Sequence, residues 1–377
     1  MLYITYYTSA DDVRISSPAA NIKARCIAQA LVKNREQVQI LSTCTVAKQG
    51  TQKRWIRGRR FTVDTGICCK QFSFLRTAFG PLRRLQHYFF NLRIFLYLLL
   101  HAKKNEKVLF YHAIERSFPI RWAKAIKKFR LILEVEEIYA NASVLPPSYQ
   151  KAEQKCLRAA DAYIFSNRLL PHLVNKQNKP CCVIYGTYHS EPVLETPSQD
   201  KIHAVYAGTL DPIKGGAQNA VNAALFLDER YHIHILGFGE QRAIEQLQAR
   251  IDSVRTQTRC GISYDGCLQG EAYLRFLQKC HIGLSTQDAG GAFNDTSFPS
   301  KILSYMANGL HVVTVRIPVL THSDIDRYMH YYEPSDAEGV AAAIRSVDTE
   351  SPCCNRQVLQ QLFDSFVLQL SKMLQEI

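Results

Sequence analysis

The sequence predicts an α/β protein of two domains, each a mostly parallel sheet with helices on both faces. Three observations carry this. Short apolar runs alternate with longer amphipathic stretches through most of the chain. The alternation lapses in a polar, proline-bearing stretch, residues 188–200, and then resumes. The 377 residues also exceed what one ordinary core holds. The expected division is 1–187 for a first domain, 188–200 for a linker, 201–354 for a second domain and 355–377 for a C-terminal helix.

Residues 2–7 open the chain as a strand. Met1-Leu2-Tyr3-Ile4-Thr5-Tyr6-Tyr7 lacks the basic and long apolar regions of a signal peptide. Ser17-Pro18 supplies an N-cap and a proline for the first helical position. Ile22, Ile27, Ala28 and Leu31 then recur at helical spacing, which predicts a buried stripe. Residues 37–42, 108–112, 131–135, 162–166 and 181–184 are the further strands of the first half. Residues 202–207, 233–236, 282–285 and 312–315 are strands of the second. In the tail, Val358, Leu359, Leu362, Phe363, Phe366, Val367 and Leu370 share one helical face, as a docking helix requires.

Composition excludes several classes. Eighteen glycines and fourteen prolines are ordinary, so collagen-like and disordered chains are out. The longest aliphatic-aromatic run, residues 94–100, is far short of the roughly 20 residues a membrane span needs. Twelve cysteines include three adjacent pairs but no C-x-x-C, which reads as free thiols in a reducing cytosol. Charge is concentrated: residues 51–130 hold 19 Lys and Arg against 3 Asp and Glu, a local net of +16, while the whole chain carries +13. Such a region suits a polyanionic partner. No nucleic-acid recognition motif appears in it. Arg83, Arg84 and Arg93 lie instead among Phe79, Leu82, Leu85, Tyr88, Phe89, Phe90, Leu92, Phe95 and Leu96 on a predicted helix. Cations mixed with aromatic and aliphatic residues suit an anionic lipid surface. Aliphatic residues would then face the sheet and arginines the lipid.

The segment Gly208-Thr209-Leu210-Asp211-Pro212-Ile213-Lys214-Gly215-Gly216 carries the chemistry. A strand ends in glycine, and a lysine and two glycines then open a helix. Glycines let a phosphate approach the backbone, helix N–H groups point at it, and the lysine adds a full charge. The pattern is neither a P-loop nor G-x-G-x-x-G. A second helix start follows the strand at 282–285. A small-residue loop leads into Thr296-Ser297-Phe298-Pro299-Ser300-Lys301, with Ser297 as the expected N-cap and Pro299 in the first turn. Leu303, Met306 and Ala307 face inward, and Gly309 ends the helix. Two such helix starts, each with a lysine, fit one diphosphate ligand.

These pieces, in this order, resemble retaining glycosyltransferases of family 4, which have the GT-B fold. The resemblance runs through Tyr206-Ala207-Gly208, Lys214-Gly215-Gly216, Ile233-His234-Ile235-Leu236-Gly237-Phe238-Gly239, Tyr264-Asp265-Gly266, Cys280-His281-Ile282-Gly283-Leu284 and the stretch from Pro299 to Gly309. In the first half it runs more loosely through Phe110-Tyr111-His112-Ala113, Leu131 to Glu137, and Val183-Ile184-Tyr185-Gly186. It implies two Rossmann-like domains facing across a cleft, with the C-terminal helix docking back on the N-terminal domain.

It also implies roles. Lys214 neutralises the leaving diphosphate of a nucleotide-sugar. Gly208, Thr209, Gly215, Gly237, Asn294, Thr296, Ser297, Phe298, Ser300, Lys301 and Ser304 bind that donor. His112 touches the transferred sugar or the acceptor hydroxyl, and Glu136 or Glu137 orients the acceptor. Such enzymes need no metal and no cofactor beyond the nucleotide-sugar itself. The chain departs from the family where two carboxylates are common, here Thr296 and Ser304. It departs again at Thr209, where an arginine often stands, and in the first glycine-rich turn, here Ile15-Ser16-Ser17-Pro18-Ala19. Lys214 and Lys301 are left to carry the diphosphate charge.

The expected function is retaining transfer from a UDP- or GDP-sugar to a saccharide or polyprenyl-linked acceptor in cell-surface polysaccharide or glycolipid synthesis. The expected place is the cytoplasm, peripherally on the inner face of the membrane. A non-catalytic, membrane-associated protein of the same fold and a nucleotide-sugar epimerase are the alternatives.

Overall fold

The computed structural model describes residues 1–9, 11–14, 17–46, 55–76, 79–142, 145–212, 215–288, 290, 297–333 and 336–377, the side chains of residues 18, 83, 141 and 142 excepted. It forms two compact units, residues 1–187 with 364–377, and residues 188–363.

The first unit holds strands β1 (Leu2–Thr5), β2 (Val38–Ser42), β3 (Trp55–Ile56), β4 (Arg60–Asp64), β5 (Ile67–Gln71), β6 (Phe74–Leu75), β7 (Lys107–Tyr111), β8 (Arg130–Val135), β9 (Ala162–Phe165) and β10 (Cys181–Val183). Its helices are α1 (Pro18–Lys33), α2 (Gly80–His101), α3 (Ile114–Lys127), α4 (Tyr139–Ala142), α5 (Pro147–Ala159) and α6 (Leu170–Val174). Eight strands make one sheet in the order β10-β9-β8-β7-β1-β2-β5-β4, and β3 pairs with β6 apart from it. All pairings in the large sheet are parallel except β4 with β5.

The apolar runs become strands because a parallel sheet is covered on both faces, and only continuously apolar strands tolerate that. All four residues of β1 are buried, as are five of the six in β8. The strand positions read from sequence hold to within a residue or two. The hairpin of β4 and β5 was not anticipated. Its sequence looked like paired cysteines, but Cys69 points into the core and Cys68 outward, as alternation along a strand demands. Gly66, with φ +76°, makes the tight turn.

One detail of α1 is corrected. Ile22 is 46% exposed, and the buried face is Ala24, Ile27, Ala28 and Leu31. A helix buries about one stripe, and at about 100° per residue position 22 falls roughly half a turn away from 24, 27, 28 and 31.

The second unit holds β11 (Ile202–Thr209), β12 (Tyr231–Phe238), β13 (Gly261–Gly266), β14 (Ile282–Ser285), β15 (His311–Val315) and β16 (Met329–Tyr332). Its helices are α7 (Gly216–Ala223), α8 (Gln241–Arg255), α9 (Gly270–Gln278), α10 (Lys301–Asn308), α11 (Pro318–Thr321) and α12 (Ala337–Ser346). The sheet is wholly parallel, in the order β13-β12-β11-β14-β15-β16.

The last helix, α13 (Asn355–Gln375), begins in the second unit, where Asn355 Nδ2 donates to Leu310 O at 2.7 Å. Its last turns belong to the first unit, where Val367 O accepts from Asn34 Nδ2 at 3.1 Å. Phe366 and Leu370 are fully buried. Among the described residues no helix is long and apolar enough to cross a membrane, and all twelve cysteines are free thiols.

Candidate active site

Strand order locates the crevice in the second unit. From β11 the chain passes through α7 to β12 on one side, and from β14 it passes through α10 to β15 on the other. The order therefore reverses between β11 and β14, and ligands of open α/β sheets bind beyond the carboxyl ends of the strands at such a point.

Tyr206 organises this place. Its buried ring lies under the Lys301 ammonium, 3.8 Å from Nζ to the ring centroid. The start of α7 lies against the same ring: a Cβ on Gly216 would come within 2.8 Å of it. The Tyr206 hydroxyl donates to Thr209 O at 3.1 Å. Burial, then the nearby Asp211 carboxylate, push its pKa up to about 12, so it stays neutral under a lysine. Lys301 also passes close to Gly208, where a Cβ would lie 3.2 Å from Nζ. The first turn of α10 and the first turn of α7 thus both open beside one aromatic ring. Helix N-termini carry partial positive charge and unpaired N–H groups, so an anion is favoured there.

Three further contacts fix the arrangement. Gly237 has no room for a side chain, because a Cβ would meet Gly208 O at 2.1 Å. Thr286 Oγ1 donates to Gly216 O at 2.6 Å, and Asn219 Nδ2 donates to Thr286 O at 3.0 Å, which ties the start of α7 to the end of β14. The fully buried Tyr305 of α10 accepts from Ala207 N at 2.8 Å and donates to Leu284 O at 3.0 Å, spanning both strands of the crevice. Gly215, at φ +65°, makes the turn into α7.

The structure places the sequence-predicted residues as follows. Gly208, Gly215, Gly237 and Lys301 come together at the crevice. Thr209 is exposed at the end of β11, and Phe298 is 8% exposed, packed in the segment before α10. Ser297 is not the N-cap expected of it. The helix starts later, at Lys301, with Ser300 as N-cap, because the proline at 299 ends the extended approach and its carbonyl accepts from Ile302 N at 3.1 Å. Ser304 lies one turn on, its hydroxyl 3.4 Å from that of Tyr273. Lys214, Asn294 and Thr296 lie outside the described residues.

In the first unit the strand order reverses between β1 and β7. His112 follows β7 and is 1% exposed, its ring centroid 5.3 Å from that of Tyr139 and its Nε2 3.8 Å from Glu153 Oε1. Both ring nitrogens are buried, and neither meets a hydrogen-bond partner at normal geometry among the described residues. Burial holds its pKa down, to about 4, so it is a neutral imidazole. Glu137 is half-buried just past β8.

Sequence reading missed the neighbour that matters more for charge. Glu134, 2% exposed, accepts from Tyr3 OH at 2.5 Å and has its pKa raised by burial and then by the Glu136 carboxylate. Glu136 pairs with Lys23 of α1. The i, i+2 spacing of Glu134 and Glu136 was the available signal, since alternate strand residues share a face. Arg14 was missed as well. Its buried guanidinium donates to Asp12, Gln71, Arg57 O and Phe72 O, so it organises the loop after β1 that has no glycine-rich turn.

On α2, Arg84 is exposed, while the side chain of Arg83 lies outside the described set. Arg93 is corrected: it donates to Ser73 O at 2.6 Å and stacks 4.6 Å over the Phe72 ring, so it is engaged inside the unit. The expected division of α2 into apolar sheet side and basic outer side is corrected too. Phe90, Ile94, Tyr97 and Leu98 are buried, but Leu85, Tyr88, Phe89, Leu92, Leu96 and Leu100 form a second apolar stripe that is 46–79% exposed.

No protein-family model matches the sequence, and no curated protein does. Solved structures match over nearly the whole chain. Sucrose-phosphate synthase from Thermosynechococcus elongatus is 15% identical, with 99% of this chain and 98% of that chain covered and a TM-score of 0.67. Anabaena HepE in complex with UDP and glucose is 14% identical over 99% and 98%, with a TM-score of 0.62. A UDP-forming α,α-trehalose-phosphate synthase from Burkholderia xenovorans in complex with glucose-6-phosphate is 10% identical over 99% and 98%, with a TM-score of 0.65. The chain has the GT-B fold. The identity of these matches is low, so it is the architecture that they share with this GT-B chain.

Proposed function

We propose that this chain is a retaining glycosyltransferase that moves a sugar from a UDP- or GDP-sugar to a saccharide or polyprenyl-linked acceptor. The observation that carries the reading is the convergence of Lys301, Tyr206, Gly208 and the start of α7 at the strand reversal of the second unit. HepE with UDP and glucose supports it as a relative in fold with a nucleotide and a sugar bound.

In this reading Lys301 and Lys214 neutralise the diphosphate as the sugar–phosphate bond breaks, and the first turns of α7 and α10 add their N–H groups. Charge that develops on the leaving group meets preorganised donors, the largest single contribution in many enzymes. The leaving group is then stabilised by protein charge, and the reaction calls for no bound metal and no further cofactor. Ser304 and Tyr273 offer hydroxyls to the nucleoside. In the first unit, His112 and Glu137 serve the sugar and acceptor, and the paired Glu136 and Lys23 fix the polarity around them.

The exposed apolar stripe of α2 supports peripheral attachment to an anionic membrane, with Arg84 and the local net of +16 in residues 51–130 drawing the helix to the head groups. A lipid-linked acceptor in polysaccharide or glycolipid assembly suits that placement, on the cytoplasmic face.

A thermal-shift screen against UDP, GDP and their sugars tests the donor. A ligand at 100 times its Kd should stabilise the chain by about 2.7 kcal/mol. Lys214→Ala should then reduce transfer by at least about a hundredfold. Product of inverted anomeric configuration refutes retention. Epimerised sugar released without acceptor points to an epimerase. Vesicle binding with no nucleotide or nucleotide-sugar binding points to a non-catalytic protein.

A further inference from the structure

Toward the amino-terminal ends of β11 and β12 lies a cluster that glycosyl transfer does not use. His203 is the second residue of β11, and the parallel register sets it beside His232 of β12; His234 follows two residues on, on the same face. One ring nitrogen of each lies within 4.8 Å of the others. The rings of His232 and His234 stack at 4.1 Å, and those of His203 and His234 lie 5.1 Å apart.

Carboxylates back two of these rings. The pairing of β12 with β13 shifts register between Ile235 and Leu236, and such a bulge re-aims a side chain. The one re-aimed is Asp265, whose Oδ2 lies 3.1 Å from His234 Nδ1 and accepts from Ser263 Oγ at 2.8 Å. Asp200 Oδ1 lies 3.1 Å from His203 Nε2.

The outer nitrogens, His203 Nε2 and His234 Nδ1, face carboxylates, which when ionised only accept. The inner nitrogens, His203 Nδ1 and His234 Nε2, face each other at 2.8 Å, and His232 Nε2 lies 3.1 Å from Ser263 Oγ. Imidazoles backed by carboxylates are also what orients metal ligands and raises their basicity. Gly261 contributes by having no side chain, since a Cβ there would lie 2.6 Å from His232 Nδ1.

We propose that His203, His232 and His234 bind a divalent transition-metal ion of the zinc class, with Asp265 and Asp200 as outer partners. Neutral imidazoles select such ions over magnesium or calcium. Zinc–nitrogen bonds of about 2.0–2.1 Å put tetrahedral neighbours roughly 3.3 Å apart, so His203 and His234 separate by about half an ångström. His232 turns out of its stack to aim at the ion, and water takes the fourth position. The cluster lies five strand residues, about 17 Å, from Gly208. The ion therefore ties β11, β12 and the Asp265 bulge of β13 together and takes no part in transfer.

The test uses the full-length, tag-free chain, stripped with chelator and alkylated with iodoacetamide so that its free cysteines cannot bind. Titration with Zn²⁺ should show one ion per chain and a raised melting temperature, and Mg²⁺ should show neither. His203→Gln/His234→Gln should abolish saturable binding. Asp265→Asn should weaken it by about 10–100-fold, while the exposed control His322→Gln leaves it unchanged. Wild-type protein without saturable zinc binding overturns the proposal. So does binding that survives both Asp265→Asn and the double histidine change.

Discussion

The ammonium of Lys301 stands 3.8 Å above the ring of Tyr206. The two residues are 95 positions apart in sequence, yet the strand reversal brings the start of α10 onto the end of β11. An aromatic face holds a cation with roughly 0.5–2 kcal/mol. The ring therefore helps to set where the Lys301 charge stands at the crevice.

Replacing Lys301 should test its part in transfer. Lys301→Ala is expected to lower kcat by about 10²–10³, and its melting temperature should move little because the ammonium is not part of the core. Tyr206→Phe keeps the ring and loses the bond to Thr209 O, so activity should fall modestly. Tyr206→Leu removes the face beneath the lysine and should fall much closer to Lys301→Ala. Steady-state kinetics with a saturating nucleotide-sugar reads all three. Tyr206→Leu at wild-type rate would show that the ring does not position the lysine.

Much of this was legible in the sequence, for identifiable reasons. β1 and β14 are short, largely apolar and buried at every residue, as strands covered on both faces are. Gly208, Gly237 and Lys301 stood in a recognisable order, so their convergence could be expected. The role of Tyr206 could not, because a tyrosine in a strand looks like core until the helix carrying Lys301 is placed over it. Glu134 was hidden by the acidic pair after it, and the start of α10 was misplaced because Pro299 fits either side of a helix boundary. The metal-competent histidines depend on the register between β11 and β12, and Asp265 on the bulge in β13, which local pattern does not encode.

Gly237 should be the least replaceable small residue of the site. A Cβ there would meet Gly208 O at 2.1 Å, backbone against backbone, with no flexible atom to give way. Gly237→Ala must spread β11 from β12, a strain of about 1–3 kcal/mol. Chemical denaturation should show that loss, and calorimetry should show weaker binding of UDP or GDP, since Gly208 moves with the strand. Unchanged stability and binding would contradict the close approach.

His112 makes stability depend on pH. Its folded pKa, about 4, lies below the ordinary histidine value of 6.5. The unfolded chain therefore takes up a proton first as pH falls. The stabilisation is complete above pH 6.5, erodes between 6.5 and about 4, and is lost below that. Across the window it amounts to roughly 3 kcal/mol. Urea denaturation at pH 7.5 and pH 5 should show a difference that His112→Gln reduces. An equal pH slope in the variant would place the dependence on other groups.

The outer stripe of α2 gives the clearest separation of binding from folding. Leu92 and Leu96 are 46% and 47% exposed, on the side of the helix away from buried Ile94 and Leu98. Surface substitutions of this kind usually change stability by no more than about 0.5 kcal/mol. Leu92→Glu/Leu96→Glu should therefore leave the melting temperature near that of wild type. On vesicles rich in phosphatidylglycerol it removes apolar area and adds two negative charges, and both oppose insertion beside anionic head groups. Sedimentation with such vesicles should show at least tenfold weaker binding by the variant, and weaker wild-type binding as salt is raised, because the basic flank is screened. Transfer to a soluble saccharide acceptor should persist in the variant, whereas transfer to a polyprenyl-linked acceptor in vesicles should fall. Equal vesicle binding by the two proteins would remove α2 from the membrane contact.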